Sequence, residues 1–300
     1  MESVGYDEFG LFHENAAEFG LPYDGPPVVR RETVALEPGR NLSALVWGSA
    51  DPELVLVHGG AQNAHTWDTV AMALGRPLIA VDLPGHGHSD GHRPGADRVE
   101  GGAADLAIAI GALAPQAKAV VGMSLGGMTT IALTARAPEL VRAVVLVDIT
   151  PGVTAEKASA ITAFVNGPAS FASFDDILAR TVEHNPTRSV SSLRRGILHN
   201  AVQQSDGSWV WRYARHRDEE PTEHPQGADL WEAVSNIAVP LMLVRGGRAG
   251  SVVDDADEAE LRRRQPHARV ANVPDAGHSV QGDDPLELAR LLVDFVPGLR

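Results

Sequence analysis

A serine between a strand pattern and a helix pattern is the clearest candidate for chemistry. Residues 122–126 read Gly-Met-Ser-Leu-Gly, preceded by a short apolar run and followed by a stretch rich in Ala, Leu and Thr. A strand that turns directly into a helix strains its central residue, and small residues on either side keep the turn free of clashes. Such a turn presents the Ser124 hydroxyl at a helix N-terminus, where backbone N–H groups face a developing negative charge. The pattern therefore favours Ser124 as a nucleophile.

Three further motifs follow the order found in one family. His-Gly-Gly at residues 58–60 comes after the third predicted strand, and Asp-Leu-Pro-Gly-His-Gly-His-Ser at 82–89 comes after the fourth. Gly277 and His278 come after the last predicted strand and before a final helix. With the serine turn, these motifs make the chain similar to the α/β-hydrolase superfamily, in a form with a serine nucleophile and a lid. The resemblance covers about residues 28–296.

The resemblance implies roles for four residues. Neutral serine is a weak nucleophile, so Ser124 needs a base within hydrogen-bond reach, and His278 stands where the family keeps its catalytic histidine. The N–H groups of Gly60 and Leu125 match the two donors of the family's oxyanion hole. Removing one such donor typically costs about 2.7–4 kcal/mol of transition-state stabilisation.

The acid of the triad departs from the family's common pattern. Most members place it shortly after the seventh strand, where this chain has Ala249. In haloalkane dehalogenases, which belong to the superfamily, the acid instead ends the sixth strand, and that position here is Asp148. A carboxylate at this edge of the sheet would hold the His278 imidazole in the required tautomer. We therefore expect Asp148 to be the acid.

An alternative interpretation of Asp148 stays open. Its carboxylate would instead cap the entrance to the following segment by accepting backbone N–H groups. Asp254 or Asp255, further along the loop after the seventh strand, would then supply the acid, although their position is typical of a helix start.

Short β-branched runs alternate with Ala- and Leu-rich stretches, the rhythm of a sheet covered by helices on both faces. The pattern predicts strands over residues 28–36, 42–47, 54–58, 78–81, 119–122, 143–147, 241–244 and 269–273. It predicts helices over residues 66–74, 99–113, 125–136, 257–265 and 285–295. The expected fold class is α/β: a mostly parallel eight-stranded sheet flanked by helices, the α/β-hydrolase fold, with a mainly helical lid insertion.

Two segments interrupt this rhythm. Residues 151–239 lack strong strand runs and carry alternating large aromatics, so we expect a lid over the carboxyl edge of the sheet. Trp209 and Trp211 would either line an apolar substrate pocket or form the core of the lid. Residues 1–27 form an N-terminal extension with apolar residues at helical spacing, which would pack on the body or on a partner subunit. The hydrolase core is then residues 28–150 and 240–300.

Composition and charge narrow the class of protein. The 300 residues include no cysteine, which excludes disulfides, thiolate metal sites and a cysteine nucleophile. A formal net charge of −14 disfavours nucleic acids and anionic membranes as partners. The N-terminal residues lack the apolar core of a secretory signal, and no stretch approaches the roughly 20 apolar residues of a membrane span. We expect a cytoplasmic protein, with a homodimer left open.

Metal and nucleotide sites are disfavoured. His86, His88 and His92 with Asp90 are zinc ligands in type, but they belong to the loop that already matches the superfamily. Residues 122–127 lack the lysine of a phosphate-binding loop, and no dinucleotide fingerprint follows the first strand. We expect no cofactor and no metal ion.

These residues leave more than one function open. The leading expectation is hydrolysis of a carboxylic ester or lactone, with a small apolar acyl or ring-containing substrate, through an acyl-enzyme on Ser124. Hydrolysis of a carbon–carbon bond, or a cofactor-free lyase reaction, would use the same triad of Ser124, His278 and Asp148. A serine nucleophile argues against epoxide hydrolase and dehalogenase chemistry, for which the superfamily uses aspartate. The alternative from another class is a ligand-binding protein on a hydrolase scaffold.

Overall fold

A computed structural model describes residues 5–37, 39–214 and 227–299. Residues 1–4 of the predicted extension, residues 215–226 of the predicted lid, and residues 38 and 300 of the predicted core lie outside the described residues.

The described chain contains a large sheet and a small one. In chain order the strands are β1 (Val29–Glu37), β2 (Arg40–Trp47), β3 (Leu54–Val57), β4 (Leu78–Val81), β5 (Ala119–Met123), β6 (Val144–Val147), β7 (Ser170–Phe171), β8 (Ala201–Gln203), β9 (Trp209–Trp211), β10 (Leu241–Gly246) and β11 (Arg269–Val273). The large sheet has eight strands in the order β1-β2-β4-β3-β5-β6-β10-β11. Strand β2 pairs antiparallel with β1 and β4, and every other neighbouring pair is parallel. The predicted mostly parallel eight-stranded sheet is confirmed.

Helices cover both faces of this sheet. They are α1 (Phe12–Phe19), α2 (Asp68–Leu74), α3 (Arg98–Leu113), α4 (Leu125–Arg136), α5 (Ser159–Val165), α6 (Phe174–His184), α7 (Val190–Asn200), α8 (Gly227–Ser235), α9 (Asp255–Arg264), α10 (Val280–Asp283) and α11 (Pro285–Phe295). Two short 3-10 helices, η1 (Ala64–Trp67) and η2 (Pro138–Leu140), complete the set. Strands β3, β4 and β6 are buried at every residue, as expected for parallel strands packed on both faces.

Two apolar layers hold the sheet between the helices. On one face, side chains of α3, α4, α8 and α9 pack on the sheet, among them Leu106, Ile131 and Leu261. On the other face, α1, α2 and α11 pack on it, among them Phe12, Val70 and Leu292. Burying each of these large side chains stabilises the fold by roughly 1.5–3 kcal/mol, so both layers fix the positions of the strand ends.

The segment between β6 and β10 forms a cap with its own small core. Helices α5–α7 and a three-stranded antiparallel sheet, in the order β7-β9-β8, make up its described part. Phe171, Ile177 and Ile197 are buried there together with Trp209. The segment contains helices, and it also contains a small sheet that does not follow from the sequence, because its strands are only two or three residues long.

Helix α8 lies inside the predicted lid (151–239) but packs with the hydrolase core. Leu230, Trp231 and Val234 are buried in the same apolar layer as residues of α3 and α4. The predicted lid therefore runs too far at its C-terminal end, because Leu230, Trp231 and Val234 face the sheet's own helices.

The N-terminal segment packs on the body of the molecule. Phe12 is 1% exposed, with its ring 5.1 Å from that of Trp47 in β2. Asn15 Nδ2 donates to Thr69 Oγ1 at 2.9 Å, which fixes α1 against α2. The same helix contacts the cap, since Glu18 forms an ion pair with Arg195 of α7.

Within these described ranges, no helix is long and apolar enough to cross a bilayer.

Candidate active site

Ser124 lies at the junction of β5 and α4 with φ 51° and ψ −119°. This backbone conformation is rare for a residue that has a Cβ atom, so the surrounding packing must enforce it. A Cβ atom at Gly122 would lie 2.4 Å from the Gly126 carbonyl oxygen, and one at Gly126 would lie 2.3 Å from the Val57 carbonyl oxygen. Glycine is therefore required on both sides, and the turn leaves Ser124 half-buried at the N-terminus of α4.

Asp148 and His278 are in direct hydrogen-bond contact. Asp148 follows the last residue of β6, and His278 lies in the loop between β11 and α10. His278 Nδ1 lies 2.9 Å from Asp148 Oδ2, and the Asp148 carboxylate is fully buried while 11% of the His278 side chain is exposed. An ionised carboxylate only accepts hydrogen bonds, so this contact assigns the ring proton to Nδ1. Nε2 is then the nitrogen that accepts a proton.

The strand order explains how Asp148 reaches the loop after β10. Strand β6 lies between β5 and β10, so its carboxyl end is next to both. Asp148 Oδ1 accepts from Gly246 N at 2.9 Å and from Ser251 Oγ at 2.6 Å. Asp148 Oδ2 accepts from Val252 N at 3.0 Å. The carboxylate is thus held by the loop in which most family members carry the acid, and Ser251 is a contributor that no local sequence pattern marks.

The other candidate acids have different partners. Asp254 caps α9 by accepting from Asp257 N at 2.9 Å, in a complete capping box, and lies 2.8 Å from Lys157 Nζ. Asp255 forms an exposed ion pair with Arg245 at 2.7 Å. The Asp148 carboxylate also accepts two backbone N–H groups, but they belong to Gly246 and Val252 and not to the segment that follows Asp148, which the capping interpretation requires.

Of the two predicted oxyanion donors, Leu125 directly follows the nucleophile, and Gly60 follows a residue that packs against it. Leu125 begins α4, and the first N–H groups of a helix have no acceptor within the helix. A Cβ atom at Gly59 would lie 3.1 Å from Ser124 Cβ and 2.5 Å from Met123 Sδ. The peptide that joins Gly59 to Gly60 is therefore packed against the serine turn, and Gly60 is partly accessible to solvent.

Two buried histidines support the loops around Gly60. His58 Nδ1 contacts the Gly59 carbonyl oxygen at 2.7 Å, and its Nε2 accepts from Leu83 N at 2.9 Å. His86 Nε2 accepts from Ala61 N at 3.1 Å. Burial lowers the pKa of His58 and lowers that of His86 well below its usual range. Both rings are therefore neutral and serve as fixed hydrogen-bond partners.

Residue types suited to a metal occur in two places. In the loop considered for zinc, Asp90 accepts the backbone N–H of Asn41 at 2.8 Å. Elsewhere, ligand atoms of His65, Asp68 and His199 lie within 4.8 Å of one another. The His65 and His199 rings are parallel to within 10°, with centroids 3.8 Å apart. Because ring nitrogens bind metals in the ring plane, an ion in the plane of one ring lies well out of the plane of the other, and the stack does not suit a shared ion.

The cap tryptophans occupy different environments. Trp209 is 4% exposed and packs edge-on against Phe174 at 5.1 Å, inside the core of the cap. Trp211 is half-buried and stacks on Tyr213 at 5.6 Å, and Tyr213 in turn lies 6.4 Å from the His86 ring. The packing of Trp209 favours a structural role over the substrate pocket predicted for it. Trp211 lies in a chain of rings that leads to the Gly60 turn and stays a candidate for the pocket.

Comparisons with known proteins identify the family of this chain. The family model described as the alpha/beta hydrolase fold matches residues 52–285. Esterase Rv0045c of Mycobacterium tuberculosis is 44% identical over 99% of this chain and 97% of its own length. A solved structure of the M. tuberculosis esterase Rv0045c superposes with a TM-score of 0.83 at 43% identity, covering 97% of this chain and 99% of that one. The 2-(acetamidomethylene)succinate hydrolase of Mesorhizobium japonicum is 29% identical over 82% of this chain and 88% of its own length.

The chain therefore belongs to the α/β-hydrolase family, as its motifs predict, and it is an enzyme of that family.

Proposed function

We propose that this α/β-hydrolase cleaves a carboxylic ester or lactone through an acyl-enzyme formed on Ser124. The observation that carries the proposal is the 2.9 Å contact between His278 and the buried Asp148, beside a strained serine turn. The relative in M. tuberculosis that carries the name esterase supports an ester as the substrate. A ligand-binding protein would not require a buried carboxylate aligned on an imidazole, so the arrangement favours turnover over binding alone.

In the acylation half of the reaction, Ser124 attacks the ester and the alcohol leaves. Ser124 Oγ attacks the ester carbonyl carbon while His278 Nε2 takes the hydroxyl proton of the serine. The π electrons of the carbonyl group move onto the carbonyl oxygen, which becomes the oxyanion. The N–H groups of Leu125 and Gly60 stabilise this oxyanion, while Asp148 stabilises the imidazolium without taking its proton. The oxyanion then reforms the carbonyl and breaks the bond to the alcohol oxygen. His278 delivers its proton to that oxygen, and the alcohol leaves.

Deacylation repeats the sequence with water. A water molecule attacks the acyl carbon through its oxygen, and His278 Nε2 takes one of the water protons. Collapse of the second oxyanion breaks the bond to Ser124 Oγ, which takes the proton back from His278. The carboxylic acid is released, and the free enzyme is restored. For a lactone, the alcohol and the acid are two ends of one product.

Replacement of the nucleophile tests the proposal. We expect Ser124→Ala to lower kcat on p-nitrophenyl butyrate by about 10⁴-fold or more, because it removes the attacking oxygen. The variant keeps the Cβ atom and therefore the packing of the turn. Wild type should be labelled by a fluorophosphonate probe, as should Ser205→Ala, a control in an exposed turn of the cap.

Two results would contradict the proposal. Labelling that persists in Ser124→Ala would place the nucleophile elsewhere. A wild-type enzyme that is labelled but hydrolyses no ester or lactone in a panel of chain lengths would favour the carbon–carbon hydrolase or lyase reaction.

A further inference from the structure

Hydrogen bonds hold several backbone groups of the turn that carries Gly60. Gly59 N donates to Gln62 Oε1 at 3.1 Å, and Gln62 N donates back to the Gly59 carbonyl oxygen at 3.3 Å. The Gln62 side chain also contacts the helix that follows His278, since its Oε1 accepts from Gln281 Nε2 of α10 at 3.3 Å. The turn is therefore tied to the hydrolase core on the side that faces His278.

Ala61, the next residue after Gly60, is in a strained conformation. Its φ is 60°, a value that a residue with a Cβ atom adopts only when its surroundings hold it there. Its two peptide groups are held from opposite sides. Ala61 N donates to His86 Nε2 of the core at 3.1 Å, and the Ala61 carbonyl oxygen accepts from Asn200 Nδ2 at 2.7 Å.

Asn200 belongs to the cap, not to the core. It is the last residue of α7, and its own position is fixed by two further bonds. Its side-chain Oδ1 accepts from Asn63 Nδ2 at 3.2 Å, and its carbonyl oxygen accepts from Arg212 N at 2.8 Å. The amide is therefore oriented with its NH2 group toward Ala61.

We propose that Asn200 is a positioning residue of the cap that holds the Gly60 turn in the geometry needed to stabilise the oxyanion. This inference rests on the proposed function, because it assumes that the Gly60 N–H is one of the two donors. In the described part of the chain, the Asn200 side chain is the one from the cap that donates a hydrogen bond to a backbone carbonyl of this turn, that of Ala61. The cap then contributes a supporting bond to the oxyanion site of the core.

The proposal has a kinetic consequence. When the bond to the Ala61 carbonyl is lost, the strained turn is held on one side alone and relaxes away from its position beside Ser124. An oxyanion donor must lie within about 2.7–3.1 Å of the developing charge, and a displacement near 1 Å costs roughly 100-fold in rate. Because the donor acts in the transition state, the loss should fall on kcat, while KM changes little.

Two substitutions at Asn200 and one matched control test this. Asn200→Asp keeps the shape but removes the donor, and Asn200→Ser shortens the side chain without adding charge. Asn185→Asp is the control, because Asn185 also ends a cap helix and its amide also donates to a backbone carbonyl, that of Thr181 at 2.9 Å, within its own helix. The assays are kcat and KM on p-nitrophenyl butyrate, the inhibition constant of phenylboronic acid, which forms a tetrahedral adduct on serine, and thermal unfolding.

We expect both Asn200 variants to lose about 10- to 100-fold in kcat with KM within twofold. Phenylboronic acid should bind more weakly by a similar factor, because its adduct places an oxygen on the same donors. The Asn185→Asp variant should match wild type in both measurements. If Asn200→Asp does not fold, the kinetics of Asn200→Ser test the positioning role.

Three outcomes would overturn the positioning role. They are a normal kcat in a folded Asn200 variant, a loss of kcat without weaker boronic acid binding, and an equal loss in Asn185→Asp. Failure of the proposed function is separate, because wild type would then resist fluorophosphonate labelling at Ser124, or would be labelled without hydrolysing any ester or lactone.

Discussion

Ala61, Ser124 and Asp148 share a backbone conformation that is rare outside glycine. They are the non-glycine residues with positive φ in the described chain, at 60°, 51° and 47°. Each strained conformation costs about 1–3 kcal/mol, and such positions cluster where function requires a fixed geometry. The three lie in the proposed oxyanion turn, in the serine turn and at the proposed acid, so the strained non-glycine residues of the described chain are concentrated at the proposed site.

The proposed acid, Asp148, should be essential for turnover. We expect Asp148→Asn to lower kcat by roughly 10⁴-fold with little change in KM, because an amide favours the wrong His278 tautomer and stabilises the imidazolium poorly. Asp254→Asn is the control and should stay within a few-fold of wild type, since asparagine also caps helices well. Steady-state kinetics on p-nitrophenyl butyrate gives the result.

The variant also carries a stability cost that must be measured separately. The Asp148 carboxylate accepts bonds from Gly246, Ser251 and Val252 as well as from His278, and an amide cannot accept all of them. A melting temperature that stays above the assay temperature would exclude unfolding as the cause of a lower kcat. A folded Asp148→Asn enzyme with near-normal kcat, together with a collapse in Asp254→Asn, would falsify the assignment.

The two tryptophans of the cap strand β9 lie in different environments. Its core contains Trp209 with Phe171, Ile177 and Ile197, all nearly inaccessible to solvent. Trp211 packs on this core with one side and stacks on Tyr213 with the other. Trp209 and Trp211 are two residues apart and therefore share a face of β9, yet Trp209 is buried and Trp211 only half-buried.

The unequal burial predicts unequal effects. We expect Trp209→Ala to destabilise the protein by about 3–5 kcal/mol, because it empties a packed core. Trp211→Ala should leave stability closer to wild type and should change kcat/KM unequally across p-nitrophenyl acetate, butyrate and octanoate, because a wall of the pocket moves. If Trp211→Ala scaled all three esters by one factor, Trp211 would have no part in the pocket.

Across the whole molecule, buried histidines hold opposite charge states. Burial lowers the pKa of His58, His86 and His199, so these rings are neutral in the folded protein. Burial acts in the same direction on His65, but Asp68 at 2.9 Å and Glu8 at 3.1 Å outweigh it and raise its pKa to about 9. His65 therefore keeps its proton in the folded state.

These shifts predict how stability depends on pH. Below the ordinary histidine pKa of 6.5, the unfolded chain protonates three histidines that the folded chain keeps neutral, so stability falls as pH decreases. The contribution of His65 is complete below pH 6.5 and is lost as pH rises through about 9, because the folded state then gives up its extra proton. We expect maximal stability near pH 6.5, with the acid limb steeper, at about 1.4 kcal/mol per pH unit for each proton.

Urea unfolding between pH 5 and 9 measures this profile. The substitution His65→Gln should flatten the alkaline limb, while His267→Gln, in an exposed turn, should leave the profile unchanged. A free energy of unfolding that stayed constant across this range would contradict the assigned charge states.

Much of the fold and part of the site follow from local sequence. The alternation of strand and helix patterns predicts the eight-stranded sheet, because the periods of burial along a strand and a helix are properties of a few consecutive residues. The glycines around Ser124 predict its turn partly for the same reason, since Gly122 avoids a clash within the turn; Gly126 avoids one with the neighbouring strand, which only the folded structure shows. The order of the motifs along the chain then identifies the family.

The tertiary structure decided which distant residues meet. Asp148 and His278 are 130 positions apart, and their contact depends on β6 lying between β5 and β10, an order that local patterns do not specify. Asn200 and Ala61 are 139 positions apart and meet through the docking of the cap. The α8 helix falls inside the segment predicted as a lid, yet its apolar face packs on the core. The physical reason is the same in each case: a hydrogen bond or an apolar contact requires proximity in space, which follows from the packing of whole elements.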